Sequence, residues 1–109
     1  MQGMAREELN EYDARLMTAP SIPDREDGMC AICKCHPARN RHHIVPRSHG
    51  GMWGPTVPVC GLGNTGGCHK MLHDGRLHLF YSGGEWSYFY SAEGCKLDEA
   101  LERRGWRAL

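Results

Sequence analysis

The sequence predicts one small α+β domain that is held together by metal as much as by apolar packing. Three observations carry that expectation. The chain has 109 residues, of which only 40% are hydrophobic and 14 are glycine, too few apolar groups on too short a chain for a core that stabilises it alone. Every histidine and five of the six cysteines, all but Cys95, fall between Gly28 and Ser82. Helical and strand-like patterns follow each other along the chain, the signature of a mixed fold.

Taken in order, residues 4–17 carry good helix formers with Leu9, Tyr12 and Leu16 at helical spacing, and the two prolines of "TAPSIPD" end the pattern. Glu7, Glu8, Glu11 and Asp13 make this arm acidic, which suits packing or solvent better than a phosphate. "RHHIV" (41–45) and "TVPVC" (56–60) are short β-leaning runs joined by the long "RSHGGMWGP" connection, together a hairpin. A helix follows in "TGGCHKMLHDG", with Thr65 as its N-cap and Gly75 as its stop. "RLHLFYSGGEWSYFY" alternates about a Ser-Gly-Gly turn and predicts a second hairpin from about Arg76 to Tyr90. The tail predicts a short closing helix through Leu97, Ala100 and Leu101, ended by Gly105, with Trp106 folded back. The organisation expected is therefore a helical arm (1–27), a working core (28–81) and a C-terminal strand and helix (82–109).

Composition narrows the function classes. Thirteen basic residues balance thirteen acidic ones, which argues against coating nucleic acid by bulk charge while leaving room for a local patch. The N-terminal stretch has neither the apolar run nor the small-residue cleavage site of a secretory signal, and no apolar run approaches the roughly 20 residues of a membrane span. The expectation is a cytoplasmic protein whose clustered cysteines are metal ligands rather than disulfides.

Cys30 and Cys33 form the C-x2-C turn that presents two thiolates to one tetrahedral zinc. Cys60 and Cys68 supply the second pair: the "GLGNTGG" between them holds four glycines, which lets the chain double back. Cys35 and Cys95 are expected to be spare thiols. His69 and His73 stand four apart on the expected helix, so their imidazoles share one face and one cation. Cys68 lies about 100° around the helix from His69, so one helix end serves two separate sites. One further histidine from "HHIVP" would complete three protein ligands, leaving positions open for water and substrate as a catalytic site requires. The remaining histidine of the pair would be a base.

C-x2-C, "HHIVP" followed by "GG", then a cysteine, "CH" and H-x3-H together resemble the HNH endonucleases of the ββα-metal (His-Me finger) class, in particular the small zinc-stapled HNH proteins of phages and prophages. The resemblance covers about residues 28–80. It implies a hairpin and helix gripping one divalent ion, with His42, His69 and His73 as ligands and His43 as general base. It also implies hydrolysis of DNA phosphodiester bonds to 5′-phosphate and 3′-hydroxyl ends, in a bacterial host cell and beside a phage terminase or other packaging protein. Two neighbours on a strand face opposite ways, so His42 and His43 serve one site only where the strand bends or ends, and Pro46 marks such a place. The family's middle Asn, which ties the loop holding the base, has no counterpart in "GPTVPVC". Thr56 or Asn64 is expected in its stead.

A three-imidazole site is neutral and soft, so Mn²⁺, Ni²⁺, Co²⁺ or Zn²⁺ should bind more tightly than Mg²⁺, although availability favours Mg²⁺. Arg39, Arg41 and Arg47 bracket the histidine pair and Lys70 and Arg76 flank the helix, a candidate phosphate-binding patch. Nothing resembles a base-reading helix, so intrinsic sequence specificity should be low. His36, His49 and His78 receive no task. The rival reading is a non-catalytic zinc module that binds DNA or protein; it would not need four histidines at this spacing.

Overall fold

A computed structural model describes residues 11–47, 50–61 and 66–109. Helix α1 (Glu11–Met17) leads into an extended segment that runs alongside the first hairpin, strands β1 (Asn40–His43) and β2 (Thr56–Val59). Helix α2 (Gly67–His73) follows, then the hairpin of β3 (Leu77–Ser82) and β4 (Glu85–Tyr90), helix α3 (Leu97–Leu101) and a two-residue strand β5 (Arg107–Ala108). β5 adds to β4, making a three-stranded antiparallel sheet in the order β3-β4-β5. No pattern in "WRAL" announces that last strand; it forms because the chain turns back beside an available edge. The part of the N-terminal arm expected before Glu11 lies outside the described residues.

β1 and β2 pair with Asn40 opposite Val59, His42 opposite Val57 and His43 opposite Thr56. Val57 and Val59 are fully buried, so their face of the hairpin carries the core, and His42 shares that face by strand alternation. The core falls into two clusters. The larger joins Ile22, Cys30, Ala31, Ile32, Val57, Val59, Cys60, Cys68, Leu77 and Leu79, so three of its ten members are cysteines. The smaller joins Leu16 of α1, Val45 and Phe80, with Tyr12 edge-on to the Phe80 ring at 6.2 Å.

Residues 28–39 form a tight loop laid on the hairpin: Cys30 N–H donates to His36 O, Lys34 N–H to Cys30 O and Ala31 N–H to Pro58 O. Lys34, just beyond Cys33, adopts φ 60°, a left-handed turn that reverses the chain after the second thiol. At the other end, Trp106 Nε1 donates to Ala100 O at 2.9 Å and its ring stacks on Phe89 at 5.4 Å, while Gly105 supplies the turn at φ +112°. Among the described residues no helix is long and apolar enough to cross a membrane.

Candidate metal centres

The sulfurs of Cys30, Cys33, Cys60 and Cys68 all lie within 4.8 Å of one another. Cys33 Sγ and Cys60 Sγ are 3.8 Å apart. A tetrahedron with zinc–sulfur bonds of roughly 2.3 Å sets its corners about 3.8 Å apart, so this pair already stands at ligand spacing. Backbone amides aim at the sulfurs: Ile32 N–H toward Cys30 Sγ at 3.4 Å, Cys35 N–H toward Cys33 Sγ at 3.5 Å and Cys68 N–H toward Cys60 Sγ at 3.3 Å. Such donors stabilise negative sulfur.

The thiols cannot all ionise unaided. The Cys68 thiol, hydrogen-bonded to Cys30, and the amides around Cys30 pull the latter down to about 4. Cys68 is driven up by that same bond, by burial and by the neighbouring thiolates, and burial followed by Coulomb repulsion raises Cys60. A dication is what removes this conflict, since four thiolates around it are mutually compensated. The donor set therefore fits zinc. Cys35 is exposed, and Cys95 is placed elsewhere, its sulfur 3.7 Å from His78 Nε2.

The second cluster is built by β1 and α2. His69 and His73 stack at 4.9 Å with 22° between their planes, as an i,i+4 pair must. His42 meets both edge-on at 5.0 and 5.2 Å, and one nitrogen from each ring lies within 4.8 Å of the others. Burial, then the charges of His69, His73 and His43, hold His42 down to about 4; burial and then His73 lower His69. Both are therefore neutral at pH 7, the form that ligates. His69 Nδ1 is buried with no hydrogen-bond partner, a polar atom whose burial a cation would compensate. This donor set fits a divalent ion as well.

The two clusters are welded through one short stretch. Cys60 O accepts from His69 N–H at 3.1 Å while Cys60 Sγ receives Cys68 N–H. Gly61 and Gly67 make this approach feasible: a Cβ at Gly61 would sit 1.9 Å from Gly66 O, and one at Gly67 would sit 2.8 Å from Cys60 O. The helix N-cap is Gly66, with no side-chain cap, rather than the expected Thr65, which lies outside the described residues. Among the described residues, contact with Cys60 positions the start of α2.

His43 ends β1, and beyond it the chain bends at Ile44 and Val45, so His43 and His42 line one cleft of about 540 Å³ with Arg41, Arg47, His69 and His73. The loop between the strands is closed by Ile44 N–H to Pro55 O. Inside it a 3-10 turn (Gly51–Trp53) brings Gly51 O to 3.2 Å from His43 Nδ1. A carbonyl only accepts, so Nδ1 carries a proton, and a guanidinium only donates, so the nitrogen that it faces, Nε2, is an acceptor. Arg47 reaches that Nε2 at 3.4 Å.

Sequence reasoning missed Gly51. The expectation was that Thr56 or Asn64 holds the loop; among the described residues a backbone carbonyl faces the histidine and backbone bonds close the loop. The "GG" pair was the only trace available: a Cβ at Gly51 would lie 1.8 Å from Val45 O. Of the two residues expected to replace the Asn, Asn64 lies outside the described residues. Thr56 is engaged elsewhere, its Oγ1 accepting from Arg41 Nε at 2.9 Å.

The candidate phosphate contacts do not form one patch. Arg41 is consumed by the fold, donating to Thr56, pairing with Asp24 at 2.6 Å and reaching Ile22 O. Lys70 and Arg76 both pair with Asp74 at 3.2 Å and line a hollow beside Cys33 and Cys60, on the side of the cysteine cluster. Arg39 is exposed at the edge of the hairpin, and Arg47 alone touches a histidine of the cleft. His78 lies in β3 with Nε2 2.8 Å from Cys95 O, His36 is exposed, and His49 lies outside the described residues.

Fold and site together define a small α+β protein with two candidate metal-binding clusters, one of four cysteines and one of three histidines. Comparisons with protein-family models, curated proteins and solved structures return no match to the chain.

Proposed function

We propose that this chain is a metal-dependent HNH endonuclease that hydrolyses DNA phosphodiester bonds with low intrinsic sequence specificity. The observation that carries the reading is a trio of clustered imidazoles sharing a cleft with a fourth whose Nδ1 faces a backbone carbonyl. A binding module has no use for a histidine held in one tautomer beside an ion site.

His42, His69 and His73 would hold the divalent ion, which when bound supplies Lewis-acid charge to the phosphate and the departing 3′ oxygen. His43 would take the proton of the attacking water at Nε2, while Gly51 O keeps the ring oriented and stabilises the imidazolium that results. Arg47 occupies that lone pair in the substrate-free protein, and an arriving phosphate oxygen is a stronger acceptor for its guanidinium. Transfer of Arg47 from His43 to the phosphate would expose the base as the substrate is seated. The four-cysteine zinc would serve to anchor α2 and take no part in the reaction. By the same resemblance the setting would be a phage or prophage, with a terminase or another packaging protein as partner.

The test is plasmid nicking with Mn²⁺ and with Mg²⁺. Wild type should convert supercoiled to open-circular or linear DNA, with His43→Ala slowed roughly 10²- to 10⁴-fold. Equal rates for the two proteins, or no cleavage by wild type, would instead favour the binding module.

A further inference from the structure

The loop that holds His43 also carries the most exposed large apolar side chain of the described residues. Trp53 is 88% exposed and its neighbour Met52 is 54% exposed. The other two tryptophans are engaged: Trp86 Nε1 donates to Pro20 O at 3.0 Å, and Trp106 is bonded to Ala100 O and stacked on Phe89. An indole left in water forfeits a large burial term, and among the described residues no hydrogen bond or ring contact engages it.

Its placement points to an occupant. Trp53 closes the 3-10 turn that begins at Gly51, the residue whose carbonyl orients His43. Two residues along the chain therefore separate Trp53 from the carbonyl that stands 3.2 Å from His43 Nδ1. The turn is not loosely attached: Gly51 N–H bonds Pro46 O and Gly54 N–H bonds Gly51 O, each at 3.0 Å. Arg47, the cation nearest His43, is exposed on the same loop. An exposed cationic group that touches His43 and an exposed flat ring on the same short loop are the two elements of a single-strand stacking platform.

We infer that Trp53 is a stacking platform for an unpaired nucleobase next to the phosphate seated at His43, and that it directs the protein toward single-stranded or locally opened DNA. The inference builds on the nuclease reading and deepens it. Stacking on a π-face tolerates any base, in keeping with low sequence specificity.

The experiment uses the full chain with zinc on its cysteines, titrated with a single-stranded oligonucleotide, with an abasic oligonucleotide of equal length and charge, and with phosphatidylglycerol vesicles, following tryptophan emission. The oligonucleotide with bases should quench Trp53 emission and bind at least fivefold more tightly than the abasic one. Trp53→Ala should weaken that binding by roughly 5- to 100-fold and Trp53→Phe by much less, with melting temperatures unchanged because the side chain is exposed. Equal affinity for the two oligonucleotides, unaltered binding by Trp53→Ala, or a blue shift with vesicles alone would each overturn the inference. The readout is binding, so it stands apart from the plasmid assay. A chain that stacks bases yet leaves plasmid intact refutes hydrolysis and keeps the platform; cleavage with no base-dependent quenching does the reverse.

Discussion

Gly51→Ala is the sharpest perturbation the structure offers, because it adds one methyl group and no charge. That methyl would stand 1.8 Å from Val45 O, 2.5 Å from Val45 C and 2.9 Å from Pro46 O, all backbone atoms that no rotamer change can move aside. Relief to even 3.0 Å requires a backbone shift of about 1.2 Å. The His43 Nδ1 to Gly51 O bond, at 3.2 Å, is already at the long end of the hydrogen-bond range and would not survive a shift of that size. Misplacing a catalytic group by about 1 Å costs on the order of 100-fold, about 2.7 kcal/mol on the barrier. Single-turnover plasmid nicking should therefore slow about 100-fold in Gly51→Ala, with one zinc per chain still bound and the fold retained by circular dichroism. Made in a His43→Ala background, the same change should add almost nothing, since the group it positions is gone. A Gly51→Ala protein that nicks within about threefold of wild type, or a full additive penalty on top of His43→Ala, would refute the positioning argument.

Four further outcomes are expected. Zinc removal, or Cys68→Ser, should unfold the chain, because structural zinc contributes roughly 10–16 kcal/mol, as much as the whole stability of a small domain; thermal melts with and without chelator decide it, and Cys35→Ser and Cys95→Ser should melt as wild type. Arg41→Ala should lower stability by about 1 kcal/mol with little effect on DNA affinity, whereas Arg47→Ala should flatten the salt dependence of DNA binding by about one charge; urea titration and binding across salt concentrations separate the two. Loaded with zinc on its cysteines alone, the chain should lose stability as pH falls from 6.5 toward 4. Folded His42 resists the proton down to about 4 while the unfolded chain takes it up near 6.5, so the contribution is complete above that window and lost through it. Melting temperature should fall more steeply with acid in wild type than in His42→Gln. Finally, Co²⁺ added in place of zinc should give a thiolate charge-transfer band for the first equivalent only, the second binding to imidazoles.

What could be read from the sequence was whatever spacing and periodicity encode. Cys30 and Cys33 announce a knuckle by separation alone, and His69 and His73 announce a shared face once "CHKMLH" is taken as helical. The glycines between Cys60 and Cys68 made their pairing with the first two conceivable. Both hairpins and the closing helix followed from alternation and turn residues. What stayed hidden were contacts made by the backbone, which leave no side-chain signature. Gly51 acts through its carbonyl, Cys60 O steers α2, and β5 pairs by main-chain bonds. The fate of Arg41, Lys70 and Arg76 was equally illegible: a basic residue looks the same whether it awaits a phosphate or is tied to Asp24 or Asp74. Only three-dimensional proximity to acidic neighbours distinguishes the two.

The peptide link between Cys68 and His69 sets a phase. One residue inserted between them would leave the thiolate where Cys60 holds it and swing both imidazoles by about 100° away from His42; a deletion would swing them as far the other way. Changes of length are therefore barred from this stretch. They are tolerable at the tip of the second hairpin, where a side chain at Gly83 or Gly84 would meet nothing within 4 Å. That tip is where an epitope, a dye or a fusion partner can be inserted without touching either cluster.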